Sequence, residues 1–151
     1  MFEEKIKELG FELPEAPKPL ASYVPVIKSG NIVYTAGQLP LVKGEIKFPG
    51  KLGKEVSDAD GKKAAEYSCL NCLSVIKSAA GSLENIKQIL KVTVFVNCTA
   101  EYTNQPEIAN GASDLLVKVF GEKGKHARSA VGVNQLPKGA PVEIEIIAEV
   151  E

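Results

Sequence analysis

The 151-residue chain contains one His and, among 18 basic side chains, one Arg. With a single imidazole, His126, there is no second His for a metal site, and any His-based catalysis must use this one. His126 lies in the Gly- and Lys-rich stretch EKGKHA and reads as a surface loop residue. No Ser-His-Asp order is legible around it. The chain also lacks an apolar run near the length of about 20 residues that spans a membrane. Its first residues, MFEEKIKELG, lack the basic-then-apolar order of a secretory signal, so the expected residence is cytoplasmic. Net charge is −1, which gives no global basic field to attract nucleic acid.

Cysteine is scarce and odd in number, with three residues, which argues against a full disulfide framework. Cys69 and Cys72 form a CxxC pair, but no second Cys or His pair is present to complete a zinc site. Both fall on an apolar stripe at helical spacing between Ala64 and Ala80, so they read as buried structural thiols rather than a redox centre. A Gly-rich phosphate loop is missing too: GEKGK lacks the strand–helix setting of a P-loop. No metal and no cofactor is expected.

What is present suits one domain spanning residues 1–151, with 44% hydrophobic and 25% charged residues. Residues 2–9 have helical spacing with Gly10 as a C-cap. The Pro-rich lead-in that follows, with Pro14, Pro17 and Pro19, is extended and connecting, so residues 1–19 form an N-terminal helix and lead-in. Val24–Lys28 and Asn31–Gly37 read as strands joined by the turn Ser29-Gly30-Asn31. Leu41–Val56 is a loop holding a short strand. Ser57 is an N-cap with Asp58 and Asp60 in the first turn, for a helix running to Ala80 and ended by Gly81. Ile89–Cys98 alternates as a strand with Leu90, Val92, Val94 and Val96 on one face and Lys91, Thr93, Phe95 and Asn97 on the other. Pro106 opens a second long helix that ends at Phe120 and Gly121. Strands near Arg128–Val133 and Val142–Val150 close the chain. The expected architecture is α+β in two layers: a mixed sheet of about six strands with two helices on one face. The other sheet face carries too many apolar residues to be left in water, so an oligomer is expected.

The last strands hold the chemistry-bearing charges. Val142, Ile144 and Ile146 point one way, and Glu143 and Glu145 the other. These carboxylates are either a solvated face or part of a cleft beside a cation. Arg128 is the cation to consider, because a chain that otherwise uses Lys keeps one guanidinium where a rigid fork for a carboxylate matters. A structural ion pair with Glu143 or Glu145 is the competing reading.

The stretch ARSAVGVNQLPKGAPVEIEIIAEV resembles the C-terminal signature of the Rid family, also called the YjgF family. Tyr23-Val24, the segment TAGQLP (Thr35–Pro40) and LKVTVFVNC are similar to further segments of that family, so the likeness spans roughly residues 20–150. The longer N-terminus and the form ARSAVGV resemble a YjgF-like branch rather than the core group. The resemblance implies a chorismate-mutase-like fold and a homotrimer with clefts between subunits. It implies hydrolysis of reactive enamines and imines such as 2-aminoacrylate to 2-keto acids and ammonia. Carried over by position, Arg128 grips the substrate carboxylate, the Ala130 backbone amide adds a hydrogen bond, and Glu143 orients or activates water. Tyr23 lines the cleft from the adjacent subunit, and Ala36 and Gly37 lie close to the ligand. Ala36 replaces a frequent Ser and Ala130 a frequent Cys, and the family's second-helix Asn is unassigned. Two other activities stay open: a non-enzymatic trimer that binds 2-keto acids with Arg128, and an endoribonuclease, which the net charge disfavours.

Overall fold

The computed structural model describes residues 1–18 and 22–151. The end of the Pro-rich lead-in, residues 19–21, lies outside the described residues; its earlier part, residues 11–18, has no regular secondary structure. The elements are α1 (Phe2–Glu8), β1 (Val26–Ser29), β2 (Ile32–Thr35), β3 (Leu41–Val42), β4 (Glu45–Ile46), α2 (Asp58–Ala80), β5 (Ile86–Asn97), α3 (Gln105–Phe120), β6 (Ala127–Val133) and β7 (Val142–Val150). Local chemistry sets most of these bounds. Ser57 accepts from the Asp60 amide at 3.2 Å and opens α2, while Gly81 at φ 87° closes it. Pro106 starts α3 and Gly121 ends it. Gly30 at φ 59° makes the turn that pairs Ser29 with Ile32.

The main sheet has the order β1-β2-β7-β5-β6. It holds five strands, not about six, because residues 41–46 fold on themselves. Lys43 (φ 51°) and Gly44 (φ 82°) make a tight turn, so β3 and β4 pair with each other as a separate two-stranded ribbon. All pairings are antiparallel except β5 with β6. A parallel pair needs a long connection, and α3 supplies it.

Register decides which side chains meet the helices. Val33 on β2, Val92, Val94 and Val96 on β5, and Val142, Ile144, Ile146 and Ala148 on β7 are buried in the core with α2 and α3. Leu90 breaks the expected alternation: a bulge between Ile89 and Lys91 puts Ile89 in the core and leaves Leu90 partly exposed. Asn97 also departs from the solvated face, since it is fully buried and its amide donates to Gln135, Gly50 and Ala140. Among the described residues no helix covers the opposite face. Ile27 (55% exposed), Tyr34 (45%) and Val131 (44%) lie there beside Phe95, Ile147, Glu143 and Glu145.

The two long helices cross at contact distance. A methyl built on Gly111 of α3 would stand 2.2 Å from the backbone carbonyl oxygen of Lys62 on α2. Helix propensity alone makes Gly→Ala favourable by about 1 kcal/mol. Here the sign reverses, because backbone cannot move aside as a side chain does. Gly111→Ala should lose about 1–3 kcal/mol, read as a lower denaturant midpoint at unchanged m.

Cys69 and Cys72 are free and fully buried on α2. The Cys72 thiol donates to the Ile144 carbonyl at 3.2 Å and accepts from Thr35. Burial pushes its pKa up to about 12 and raises that of Cys69 well above the ordinary value. A thiolate is the reactive form, so the CxxC pair is structural. Among the described residues no helix is long and apolar enough to cross a membrane.

Candidate functional site

The site residues expected from sequence fall into two groups on opposite sides of the sheet. The first gathers where β2 ends against β7. The chain beyond β2 stays paired with β7 through Gln38 and Ile144, whose amides and carbonyls exchange bonds of 2.7 and 3.0 Å. This carries Gly37 across Glu143. A Cβ on Gly37 would come within 2.2 Å of Glu143 Oε2, so only Gly allows the carboxylate to lie there. The Ala36 amide donates to the Pro25 carbonyl at 2.8 Å, which holds Ala36 beside the approach to β1. Tyr23, just before that approach, is 57% exposed.

Glu143 is partly buried and accepts no hydrogen bond from the described residues. Burial raises its pKa above the ordinary carboxylate value, and the neighbouring charge of Glu145 raises it further. It is thus a carboxylate kept basic, open to solvent on one side, and unpaired among the described residues.

The second group stands at the edge strand β6. Arg128 is level with Val92 of β5, which in turn faces Ile146 of β7. That register sends Arg128 to the helix side, where Nη1 donates to Asn110 Oδ1 at 2.8 Å and to Ser113 Oγ at 3.1 Å, both on α3. Ala130 shares this side and packs against the core. The expected ion-pair alternative is overturned. Among the described residues Arg128 makes no salt bridge, and β5 separates its strand from that of Glu143. Two strand spacings and three residues of rise put the two Cα atoms roughly 14 Å apart, with side chains on opposite faces.

Arg128 therefore keeps one edge of its guanidinium, Nε with Nη2, without a protein acceptor among the described residues. Nη1 is spent on two neutral oxygens. A cation held this way, with no carboxylate beside it, is ready for an anionic ligand.

Sequence reasoning missed three residues here. Asn110 and Ser113 lie three apart on α3 and so share one face of that helix. That spacing, opposite the lone Arg, was the available signal. His126 is the third. It is half-buried rather than a free loop residue, with Nδ1 2.6 Å from the Gly124 carbonyl and Nε2 2.9 Å from Ser113 Oγ. Burial lowers its pKa, the Gly124 bond opposes that, and Arg128 adds to the lowering, so the ring is neutral near pH 7. Among the described residues no three His, Cys, Asp or Glu side chains converge as a metal site would.

Together these features define an α+β sandwich with one bare sheet face, a basic carboxylate on that face and a carboxylate-sized cationic fork at the sheet rim. A family model described as "YjgF/chorismate mutase-like, putative endoribonuclease" matches residues 3–150. The chain belongs to this family, the YjgF or Rid family. Protein TCP17 of Trypanosoma cruzi is 42% identical over 147 residues, covering 95% of this chain and 91% of the relative. The 2-iminobutanoate/2-iminopropanoate deaminase of Dermatophagoides farinae is 29% identical over 139 residues, covering 91% and 93%. The crystal structure of Atu1372 from Agrobacterium tumefaciens, a protein of unknown function, superposes with TM-score 0.94 at 43% identity, covering 99% and 92% of the two chains.

Proposed function

We propose that the protein hydrolyses small imines and enamines bearing a carboxylate, such as 2-aminoacrylate, to 2-keto acids and ammonia, in clefts between the subunits of a homotrimer. The observation that carries this reading is the Arg128 guanidinium, braced by neutral acceptors with one two-donor edge left over. That edge matches a carboxylate in a bidentate pair. A likeness to the mite protein named as an imine deaminase supports the same chemistry.

The reaction needs little beyond placement. The enamine tautomerises to the imine. Arg128 holds its carboxylate, and Glu143 takes a proton from water as the water oxygen bonds to the imine carbon. The C=N electron pair moves to nitrogen, which takes from Glu143 the proton drawn from water and gives the carbinolamine. Glu143 then carries the hydroxyl proton to the same nitrogen as the C–N bond breaks, so that ammonia leaves, the carbonyl forms and the carboxylate is restored. A second copy of the chain is required, because Arg128 and Glu143 of one copy face away from each other. The bare sheet face, with Ile27, Tyr34 and Val131 exposed, is the surface such a copy would cover. Tyr23, Ala36 and Gly37 would line the cleft on the Glu143 side.

The test generates 2-aminoacrylate in situ and follows keto-acid release. Wild type should accelerate it, and light scattering should give a mass about three times 16.1 kDa. A monomer that is still active would sink the intersubunit site. Pyruvate binding without acceleration would leave a metabolite-binding trimer instead.

A further inference from the structure

Arg128 is backed by a chain of groups whose proton positions follow from their partners. The Gly124 carbonyl can only accept, so His126 carries its proton on Nδ1, 2.6 Å away. Nε2 is then bare and accepts the Ser113 hydroxyl proton across 2.9 Å. With its proton so committed, Ser113 Oγ turns a lone pair toward Arg128 Nη1 at 3.1 Å. Asn110 is fixed from its other end: its Nδ2 lies 3.4 Å from Glu107 Oε2, and Glu107 Oε1 is held by Lys62 at 2.8 Å. That fixes the Asn110 carbonyl oxygen, not its amide, against Nη1.

Both acceptors of Nη1 are thus oriented by a further residue. A guanidinium at an edge strand is ordinarily free to turn on its long stem. Here both Nη1 hydrogens are taken, and rotation about the Cζ–Nη1 and Cζ–Nε bonds would break two bonds at once. We propose that Ser113 and His126 are positioning residues for Arg128, holding its Nη1 so that the Nε–Nη2 edge meets a ligand carboxylate in one orientation. The proposal rests on the carboxylate-binding reading of Arg128. His126 does not touch the ligand; it acts through the hydroxyl it orients.

Arg128 is the sole Arg in the sequence, so its guanidinium nitrogen and proton signals are unique in a labelled sample. In wild type at low temperature, separate Nη1 and Nη2 signals should be resolved. In His126→Leu and Ser113→Ala they should merge, since rotation is released. Pyruvate should bind these two variants about tenfold more weakly, as for one compromised hydrogen bond to a charged group. KM should rise with kcat little changed, the pattern of binding shared by ground and transition states. His126→Gln offers an amide oxygen to the Ser113 hydroxyl, and Ser113→Thr keeps that hydroxyl, so both should restore split signals and affinity. Merged signals in wild type, or unchanged signals and affinity in both His126→Leu and Ser113→Ala, would overturn the proposal. Arg128→Ala separates the two readings. If it leaves pyruvate binding intact, the carboxylate-grip reading fails, while splitting that depends on His126 still supports the positioning.

Discussion

Arg128→Ala should lower kcat/KM for imine hydrolysis by a factor of several hundred, and Arg128→Lys should rescue little of it. The size follows from losing a bidentate, charge-assisted pair, about 3–4 kcal/mol at 1.4 kcal/mol per decade. The Lys result follows from the local geometry. Asn110 Oδ1 and Ser113 Oγ both take donors from a single nitrogen, Nη1. An ammonium placed there would satisfy those two oxygens and have no second nitrogen for the ligand. The fold should tolerate both changes, because Arg128 is only half-buried and bonds to neutral groups rather than to a buried charge. Pyruvate affinity, measured by calorimetry, should fall in parallel with kcat/KM. Unchanged affinity in Arg128→Ala with a normal melting temperature would remove Arg128 from the site.

Much of this architecture is legible in the chain. The α2 bounds are written in Ser57 and Gly81, and those of α3 in Pro106 and Gly121, because caps and breakers act locally. The β5 alternation is legible from Val92 to Val96 and not before. There the bulge at Ile89 shifts the register, and a bulge leaves no periodic trace. Gly111, a poor helix former inside α3, is there for a reason no sequence window contains: the Lys62 carbonyl of another helix passes through the space of its missing side chain. The largest gap concerns the site. Arg128 and Glu143 can each be singled out from residue type and neighbours, yet their relation cannot. It depends on β5 lying between β6 and β7, and on the parallel register that pairs Arg128 with Val92. Strand order and pairing register are long-range facts. For the same reason His126 reads as a loop residue until α3 brings Ser113 against it.

Glu143→Gln should cut kcat by about 10²–10⁴, the usual worth of a positioned general base. Pyruvate binding should stay equal or tighten, since the change removes a negative charge near a carboxylate ligand. The pH behaviour is specific. Burial and Glu145 raise the Glu143 pKa, so the acid limb of kcat/KM should lie above the ordinary carboxylate range. Glu145→Gln removes one of those causes and should move that limb to lower pH. Stability carries the opposite sign. A carboxyl whose folded pKa is raised contributes most below its unfolded pKa and loses that contribution as pH rises through the folded pKa. At neutral pH ionised Glu143 therefore costs stability, and Glu143→Gln should melt no lower than wild type while being far less active. A lower melting temperature would point to a structural role instead. The two inactive variants also test where the site is built. If each cleft takes Arg128 from one copy and Glu143 from another, co-refolding equal amounts of Arg128→Ala and Glu143→Gln should leave about one cleft in four with both side chains intact, and activity should return. If one chain supplied both groups, no mixture of these variants could contain an intact site, and the mixed sample would stay inactive.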